Sequence, residues 1–324
     1  MAKKSVAKNY IFNLIYQLLT IVTPLITTPY VARVLGVENN GIYGYTISIV
    51  TYFVLFGSLG TALYGQREIA YVQNDRNKQT NVFWEILSIK TIAYLIVIIA
   101  FYLMFCLNGD YSLFYKILII ELVANLIDIS WFFQGNEEFD KTVIRNMIVK
   151  ITGLVCVFLF VKNENDLWKY FLIYVLSDLL GNLSLWMYVP RYLEKSDKKK
   201  LHLKKHVKPI ILLFLPQISV QIYAVLDKTM LGQLTKSMSE VAYYDQAQKI
   251  IKALLLVVSA MSTVMCSRVA NSYAKNKIND VKKYLKQSVS MVWLIATPLV
   301  FGVFAVASEI VPIYFGNGYD AVIP

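Results

Sequence analysis

Apolar and polar positions alternate along this chain in long blocks. A helix needs roughly 20 mostly apolar residues to cross the hydrocarbon of a bilayer. Segments that meet this requirement are residues 10–31, 41–64, 85–107, 112–133, 143–161, 167–189, 209–232, 241–265 and 289–312. Ten-residue stretches of strictly alternating polarity, which are typical of membrane β-barrels, do not occur in the sequence. The pattern therefore predicts an all-α, multi-pass membrane protein with about nine transmembrane helices.

The basic residues follow the same alternation. Of the 32 lysines and arginines, 23 fall in every second polar segment, starting with the N-terminus, and four fall in the others. Cytoplasmic loops collect lysine and arginine, so we expect a cytoplasmic N-terminus and a bacterial cytoplasmic (inner) membrane location. This topology also explains the net charge of +11, and no nucleic-acid partner is expected.

One basic segment divides the chain. The sequence predicts a six-helix lobe at 1–189, a cytoplasmic linker at 190–208 and an incomplete lobe of three helices at 209–324. His202 and His206 lie four residues apart in the linker, and we interpret them as part of a solvated basic face near anionic lipid, not as a metal pair. The three cysteines have no metal-binding spacing, and we expect neither a metal nor a cofactor.

An internal repeat relates the two lobes. The first and seventh apolar segments, each taken with the residues that follow it, share a proline, a Leu-Gly pair and a tyrosine, and the second copy starts six segments after the first. The copies therefore point in the same direction, as in transporters whose halves are related by an axis along the membrane normal. The matched positions are Pro24 and Pro216, Leu35-Gly36 and Leu231-Gly232, and Tyr43-Gly44 and Tyr243-Tyr244. Because the second lobe has three helices where the first has six, we expect a fragment or truncated product of a longer transporter.

Polar residues recur inside the apolar segments, often at helical spacing, where ionisable groups usually face a bundle interior or a wet cavity. Candidate cavity and coupling residues are Asn13, Gln17, Glu121, Asn125, Asp128, Asp178, Gln217, Gln221, Asp227 and Asp245. Lys228, Lys249 and Lys252 are the accompanying cationic candidates. Glu121, Asn125 and Asp128 are spaced i, i+4, i+7, as are Asp245, Lys249 and Lys252, so we expect each set to share one helix face. Local ion pairs and hydrogen bonds between helices are the alternative explanation.

Catalytic motifs are absent from the sequence. It contains no GxxxxGK[ST], HExxH or GxSxG pattern. We therefore expect a transporter, not an enzyme, driven by an ion gradient or by the gradient of its own substrate.

Several segments resemble the multidrug, oligosaccharidyl-lipid and polysaccharide exporter superfamily, in its Wzx-type flippase branch. They are PLITTPYVARVLG with NNGIYGYT (24–46), GQREIA (65–70), WFFQGNEEF (131–139), and LPQISVQIYAVLDKTMLG with VAYYDQAQKI (215–250). The resemblance implies two six-helix lobes around a central cavity with alternating access. Its implied substrate is undecaprenyl-pyrophosphate-linked oligosaccharide for capsule, exopolysaccharide or O-antigen synthesis.

The resemblance gives the candidate residues roles. Lys249 and Lys252, with Lys228, become candidate pyrophosphate contacts. Glu121, Asp128 or Asp178 would bind a coupling cation, H⁺ or Na⁺, or neutralise the lysines. Membrane lipid, a polysaccharide polymerase and a chain-length regulator are further expected partners.

Three alternatives stay open on the sequence. A cation-coupled drug exporter of the same superfamily would need a cavity richer in acidic and apolar groups. A membrane polymerase or ligase of lipid-linked sugars would need a large outer loop with arginine or histidine. A scaffold protein without transport activity is the third alternative.

Overall fold

The computed structural model describes the backbone of residues 6–194, 201–275 and 277–323. Side chains are described for residues 22–194, 201–255 and 277–323 and for a few isolated positions elsewhere. All regular structure in these ranges is helical. The helices are α1 (Val6–Ser58), α2 (Thr61–Val72), α3 (Arg76–Phe101), α4 (Ser112–Ile127), α5 (Ser130–Gly135), α6 (Phe139–Phe160), α7 (Leu167–Trp186), α8 (Lys204–Thr235), α9 (Met238–Ala274) and α10 (Ile278–Phe315).

The predicted all-α membrane fold is confirmed. Each of the nine predicted segments falls largely on these helices, and six stretches of the described chain are long and apolar enough to cross a membrane. The six are Val22–Val72, Arg76–Cys106, Phe139–Phe160, Glu164–Arg191, Lys204–Thr235 and Ile278–Phe315. The number is smaller than nine partly because the first two predicted segments merge into one stretch and because α4, with 16 residues, is short.

A glycine breaks the longest helix into two. Gly36 has φ 74° and ψ 176°, a conformation outside the helical region, so α1 consists of two helical parts that correspond to the predicted segments 10–31 and 41–64. A residue with a side chain would be strained at this φ, and its Cβ would lie 3.3 Å from Oε1 of Glu164. The positive φ and the nearby Glu164 side chain therefore explain why glycine occupies the second position of the Leu-Gly pair.

The chain forms two compact units, Met1–Val241 and Ala242–Pro324. In the first unit, α8 packs against α1, α2 and α3. The predicted division into lobes at 1–189 and 209–324 stays a prediction, and residues 195–200 of the predicted linker lie outside the described residues.

Two aromatic-rich cores hold the first unit together. One lies among α1, α3, α4, α6 and α7, and the other among α2, α3, α5, the end of α7 and the start of α8. We call the second region the α2–α5 end. Here Trp131 stacks on Phe83 with ring centroids 5.6 Å apart, and a Cβ on Gly65 would lie 2.5 Å from the Trp131 ring. The segments GQREIA and WFFQGNEEF therefore contain residues that pack on each other.

The second unit is built from most of α9 and from α10. Its core includes Phe315 and Tyr319, whose ring centroids lie 5.4 Å apart, and Tyr243 meets Tyr319 edge-on at 6.3 Å. Prolines at 298 and 312 lie inside α10.

Candidate functional site

A break between α4 and α5 organises the polar groups of the first unit. Asp128 follows the last residue of α4 with φ −65° and ψ 116°, so the chain leaves the helix at this residue. Its carboxylate accepts a hydrogen bond from the Ser130 backbone N–H at 2.9 Å and another from the Ser130 hydroxyl. Its carbonyl accepts from Nζ of the buried Lys90 at 2.8 Å. The predicted helical face of Glu121, Asn125 and Asp128 is therefore wrong for Asp128, because α4 has already ended.

Arg145 ties three helices together at this break. Its guanidinium donates to Ser130 Oγ at 3.0 Å and to Oδ1 of Asn182 on α7. Asn182 in turn donates to the carbonyl of Ala124 on α4 at 2.8 Å. The freed backbone of the broken helix is thus bonded by side chains from neighbouring helices, as a membrane interior requires.

Glu121 is the carboxylate with an unused oxygen. It is 7% exposed, and its Oε1 accepts from Nδ2 of Asn125 at 2.7 Å. Its Oε2 is buried and has no hydrogen-bond partner among the described residues. Asp178 on α7 is near enough to repel Glu121 electrostatically, whereas Arg145 and Lys150 attract Asp178. An unsatisfied buried carboxylate is costly, so this arrangement is suited to a proton or a monovalent cation.

The sequence predicted this part of the site incompletely. Glu121 bonds Asn125 and lies near Asp178, and their role as cavity or coupling residues stays a prediction. The sequence pattern does not single out Lys90 and Arg145. Lys90 stands inside the predicted segment 85–107 and Arg145 inside 143–161. Their position within apolar segments was the signal that could have identified them.

The second unit carries the predicted cationic pair on a single helix. Lys249 Nζ lies 2.8 Å from Oδ2 of Asp245. Asp245 is 6% exposed. The exposed Lys252 donates to Oε1 of Gln248 at 2.9 Å. Gln248 in turn donates to the Tyr244 hydroxyl at 2.9 Å. The predicted stripe of Asp245, Lys249 and Lys252 therefore exists, and each lysine already has a local partner within α9.

The remaining candidates lie on α8 or near the N-terminus. Gln217 donates to the Leu213 carbonyl at 3.3 Å, and Gln221 and Asp227 are exposed. Asp227 and the half-buried Lys228 each take part in a polar or electrostatic interaction. The side chains of Asn13 and Gln17 lie outside the described residues. Ligand binding by any of these residues stays a prediction.

A buried polar cluster at the α2–α5 end was not predicted. Oε2 of Glu85 lies 2.7 Å from Nε2 of His206 and 2.9 Å from Nζ of Lys205. The Tyr64 hydroxyl lies 2.6 Å from Nδ1 of His206, and the His202 backbone N–H donates to Oε1 of Glu85 at 2.7 Å. Glu85 and His206 are each 1% exposed.

This cluster corrects the interpretation of the two histidines. The prediction of a solvated face is wrong for His206, which is buried against Glu85. His202 is exposed but precedes the first residue of α8, Lys204, so the two histidines do not share a helix. The sequence does not show that His206 pairs with Glu85, an acid inside the predicted segment 85–107, and this pairing is what buries the histidine.

A second cluster holds the turn before α6. Lys141 forms an ion pair with Glu138 and lies over the Tyr192 ring, 4.3 Å from its centroid. The Tyr192 hydroxyl donates to Glu138, and burial and this hydrogen bond raise the pKa of Tyr192 above its ordinary value. Gln79 donates to Asn136 at 2.5 Å across the same end. These contacts fix the WFFQGNEEF turn against α3 and the segment after α7.

No group of three histidine, cysteine or carboxylate side chains that could hold a metal occurs within the described part of the chain.

Comparison with known proteins gives a consistent result. Residues 6–266 match a family described as "Polysaccharide biosynthesis protein". The chain is 25% identical over 323 residues to a "Putative O-antigen transporter" of Escherichia coli (strain K12), an alignment that covers 98% of this chain and 77% of that protein. A protein of the same name from Shigella dysenteriae is 30% identical over 148 residues, 44% of this chain and 37% of that protein.

Among solved structures, the chain is similar to the MATE multidrug transporter DinF-BH. The TM-score is 0.56 at 15% identity, over 94% of this chain and 73% of that one. At this identity the likeness concerns the fold alone.

Proposed function

This chain belongs to the polysaccharide biosynthesis protein family, and we propose that it is a flippase for undecaprenyl-pyrophosphate-linked oligosaccharide repeat units. The proposed direction is from the cytoplasmic to the outer leaflet of the bacterial cytoplasmic membrane, in capsule, exopolysaccharide or O-antigen synthesis. The names of the relatives from Escherichia coli and Shigella dysenteriae support transport of such material.

The observation that carries the proposal is the buried charge inside an apolar helix bundle. Charged groups in membrane helices are costly and accompany pathways for ions or polar substrates. Lys90 is 4% exposed and Glu121 is 7% exposed, and neither lies at a helix end. A purely structural bundle would gain nothing from an acid that keeps an unpaired buried oxygen.

In the proposed mechanism, α9 supplies the contact for the diphosphate. Lys249 exchanges its ion pair with Asp245 for the phosphate, and Lys252 exchanges its hydrogen bond with Gln248. Both of these partners lie on α9 itself, so the exchange needs no movement of the helix. Lys228 is the third proposed contact. Asn and Gln side chains and tyrosines would contact the sugars by hydrogen bonds and stacking.

Coupling is assigned to the first unit. Glu121 is the preferred binding group for H⁺ or Na⁺, because its Oε2 has no hydrogen-bond partner among the described residues while the Asp128 carboxylate is occupied by Ser130. Asp178 adds a second negative charge near Glu121 and so favours a bound cation.

Complementation tests this function. The full reading frame that contains this sequence would be expressed in a host that lacks its own O-antigen transporter and supplies a matching repeat unit. We expect surface polysaccharide to return and lipid-linked repeat units in the inner leaflet to fall. Continued accumulation of those units, with the protein present in the membrane, would contradict the proposal. A change in drug susceptibility without surface polysaccharide would favour the drug exporter.

A further inference from the structure

An apolar groove runs along the outer seam between α6 and α7. It has a volume of 480 Å³, and its walls include Ile148, Thr152, Leu176, Leu180 and Phe160. Ile148 and Leu180 are 59% and 63% exposed, so the groove opens to the surroundings of the helix bundle. At 1.5 Å per helical residue, its course from position 145 to position 160 is about 22 Å long. That length is comparable to the hydrocarbon thickness of about 30 Å.

Arg145 stands at one end of this groove. It is the charged member among the described lining residues, and the other lining side chains are apolar or carry a hydroxyl. Arg145 is held in place by its bonds to Asn182 and Ser130. A guanidinium has five N–H donors, so donors remain beyond these two bonds, and Nε has no partner among the described residues.

The shape and the charge together indicate one kind of ligand. A single narrow seam between two antiparallel helices accommodates one hydrocarbon chain, whereas a phospholipid has two. A fixed guanidinium at the end of the seam is a favoured partner for a phosphate. Arg145 also lies at the α4–α5 break, at the end of the bundle for which the distribution of basic residues predicts a cytoplasmic location.

We propose that this groove binds the polyprenyl chain of a single-chain lipid phosphate, with the phosphate held by Arg145. The inference rests on the proposed function and deepens it, because it assigns a loading site for the lipid part of the substrate in the inner leaflet. The groove lies on the first unit, whereas Lys249 and Lys252 lie on the second. The loading groove and the proposed diphosphate contacts of α9 are therefore formed by different residues.

Binding of undecaprenyl phosphate to the purified protein in nanodiscs tests the groove directly. Leu180→Trp fills the groove from an exposed position on α7, so the interior contacts of the bundle are left intact. Leu183→Trp is the matched control, because Leu183 is 46% exposed on the same helix but does not line the groove. Ile148→Trp repeats the test from α6.

We expect Leu180→Trp and Ile148→Trp to weaken binding of undecaprenyl phosphate about tenfold, with little change for Leu183→Trp. Unmodified protein should bind undecaprenyl phosphate more tightly than undecaprenol, and Arg145→Gln should remove that preference. Equal binding by the two groove variants and the control would overturn the inference. So would binding of phosphatidylglycerol that matches undecaprenyl phosphate in affinity and in sensitivity to Leu180→Trp.

The two proposals can fail separately. If the groove variants lose lipid binding but the protein moves no oligosaccharide, the function is wrong and the groove stands. If the protein restores surface polysaccharide while Leu180→Trp and Leu183→Trp bind undecaprenyl phosphate equally, the groove is wrong and the function stands.

Discussion

Glu85 on α3 and His206 on α8 are joined by a 2.7 Å contact between Oε2 and Nε2, although 121 residues separate them in the chain. Both side chains are 1% exposed. The contact fixes the start of α8 to α3 within the first unit, and Lys205 and Tyr64 add further polar contacts to it.

Loss of His206 should destabilise the protein. His206→Ala leaves the buried Glu85 carboxylate with Lys205 as its remaining side-chain partner, which should cost about 2–3 kcal/mol of stability. Thermal denaturation of the purified protein in detergent should show a lower midpoint. His202→Ala is the matched control, because His202 contacts Glu85 through its backbone N–H. Equal midpoints for the two variants would contradict the assigned contact.

Close packing of α1 against the α8–α9 turn gives a second prediction. A Cβ on Gly41 would lie 1.7 Å from the Met238 carbonyl oxygen, so Gly41→Ala must push these segments apart. In α6, a Cβ on Gly153 has its nearest described neighbour, Ser177 Oγ, at 3.4 Å. Gly41→Ala should therefore lower the unfolding midpoint. Gly153→Ala should leave it unchanged or raise it, since alanine is favoured over glycine in helices by roughly 0.5–1 kcal/mol. A lower unfolding midpoint for Gly153→Ala than for Gly41→Ala would contradict the close packing of α1 against the α8–α9 turn.

Glu121→Gln tests the coupling site. Glutamine keeps the volume of the side chain and an oxygen for the Asn125 amide, but it removes the charge. We expect the transport rate to fall about tenfold, because loss of one favourable ionic contact of about 1.4 kcal/mol corresponds to a factor of ten. Glu137→Gln, in the exposed turn between α5 and α6, is the control and should transport normally. Unchanged transport and unchanged ion dependence in Glu121→Gln would exclude Glu121 as the coupling group.

The predicted orientation can be measured by cysteine labelling. The chain has three cysteines, which would first be replaced by alanine. A cysteine at Asn108, in the exposed turn between α3 and α4, should react with a membrane-impermeant maleimide in intact spheroplasts. A cysteine at Asn74, in the turn between α2 and α3, should react with the maleimide only after the spheroplasts are lysed. The reverse pattern would place the N-terminus outside.

The helices were predictable from the sequence because membrane crossing depends on a local property. About twenty apolar residues in a row are visible without knowledge of any partner. The two parts of α1 also correspond to two separate predicted segments, because Glu38, Asn39 and Asn40 interrupt the apolar run.

The details of the polar sites were less predictable, because each depends on partners distant in the chain or on where a helix ends. Helical spacing predicts that Asp128 continues the face of Glu121, but α4 ends before Asp128, whose carboxylate accepts hydrogen bonds from Ser130. The neighbouring lysines predict a solvated His206, but the side chain is buried against Glu85 of α3. Helical spacing identifies which residues can share a face and does not show where the helix ends.

Translocation in proteoliposomes tests whether the lysines of α9 carry the diphosphate across the membrane. The full reading frame would be reconstituted with a fluorescent, polyprenyl-pyrophosphate-linked oligosaccharide, and the fraction that reaches the opposite leaflet would be measured. We expect Lys249→Ala with Lys252→Ala to abolish translocation, and Lys282→Ala with Lys283→Ala, at an exposed pair on α10, to leave it intact. Translocation by the Lys249/Lys252 double variant at the rate of the unmodified protein would contradict the proposed function.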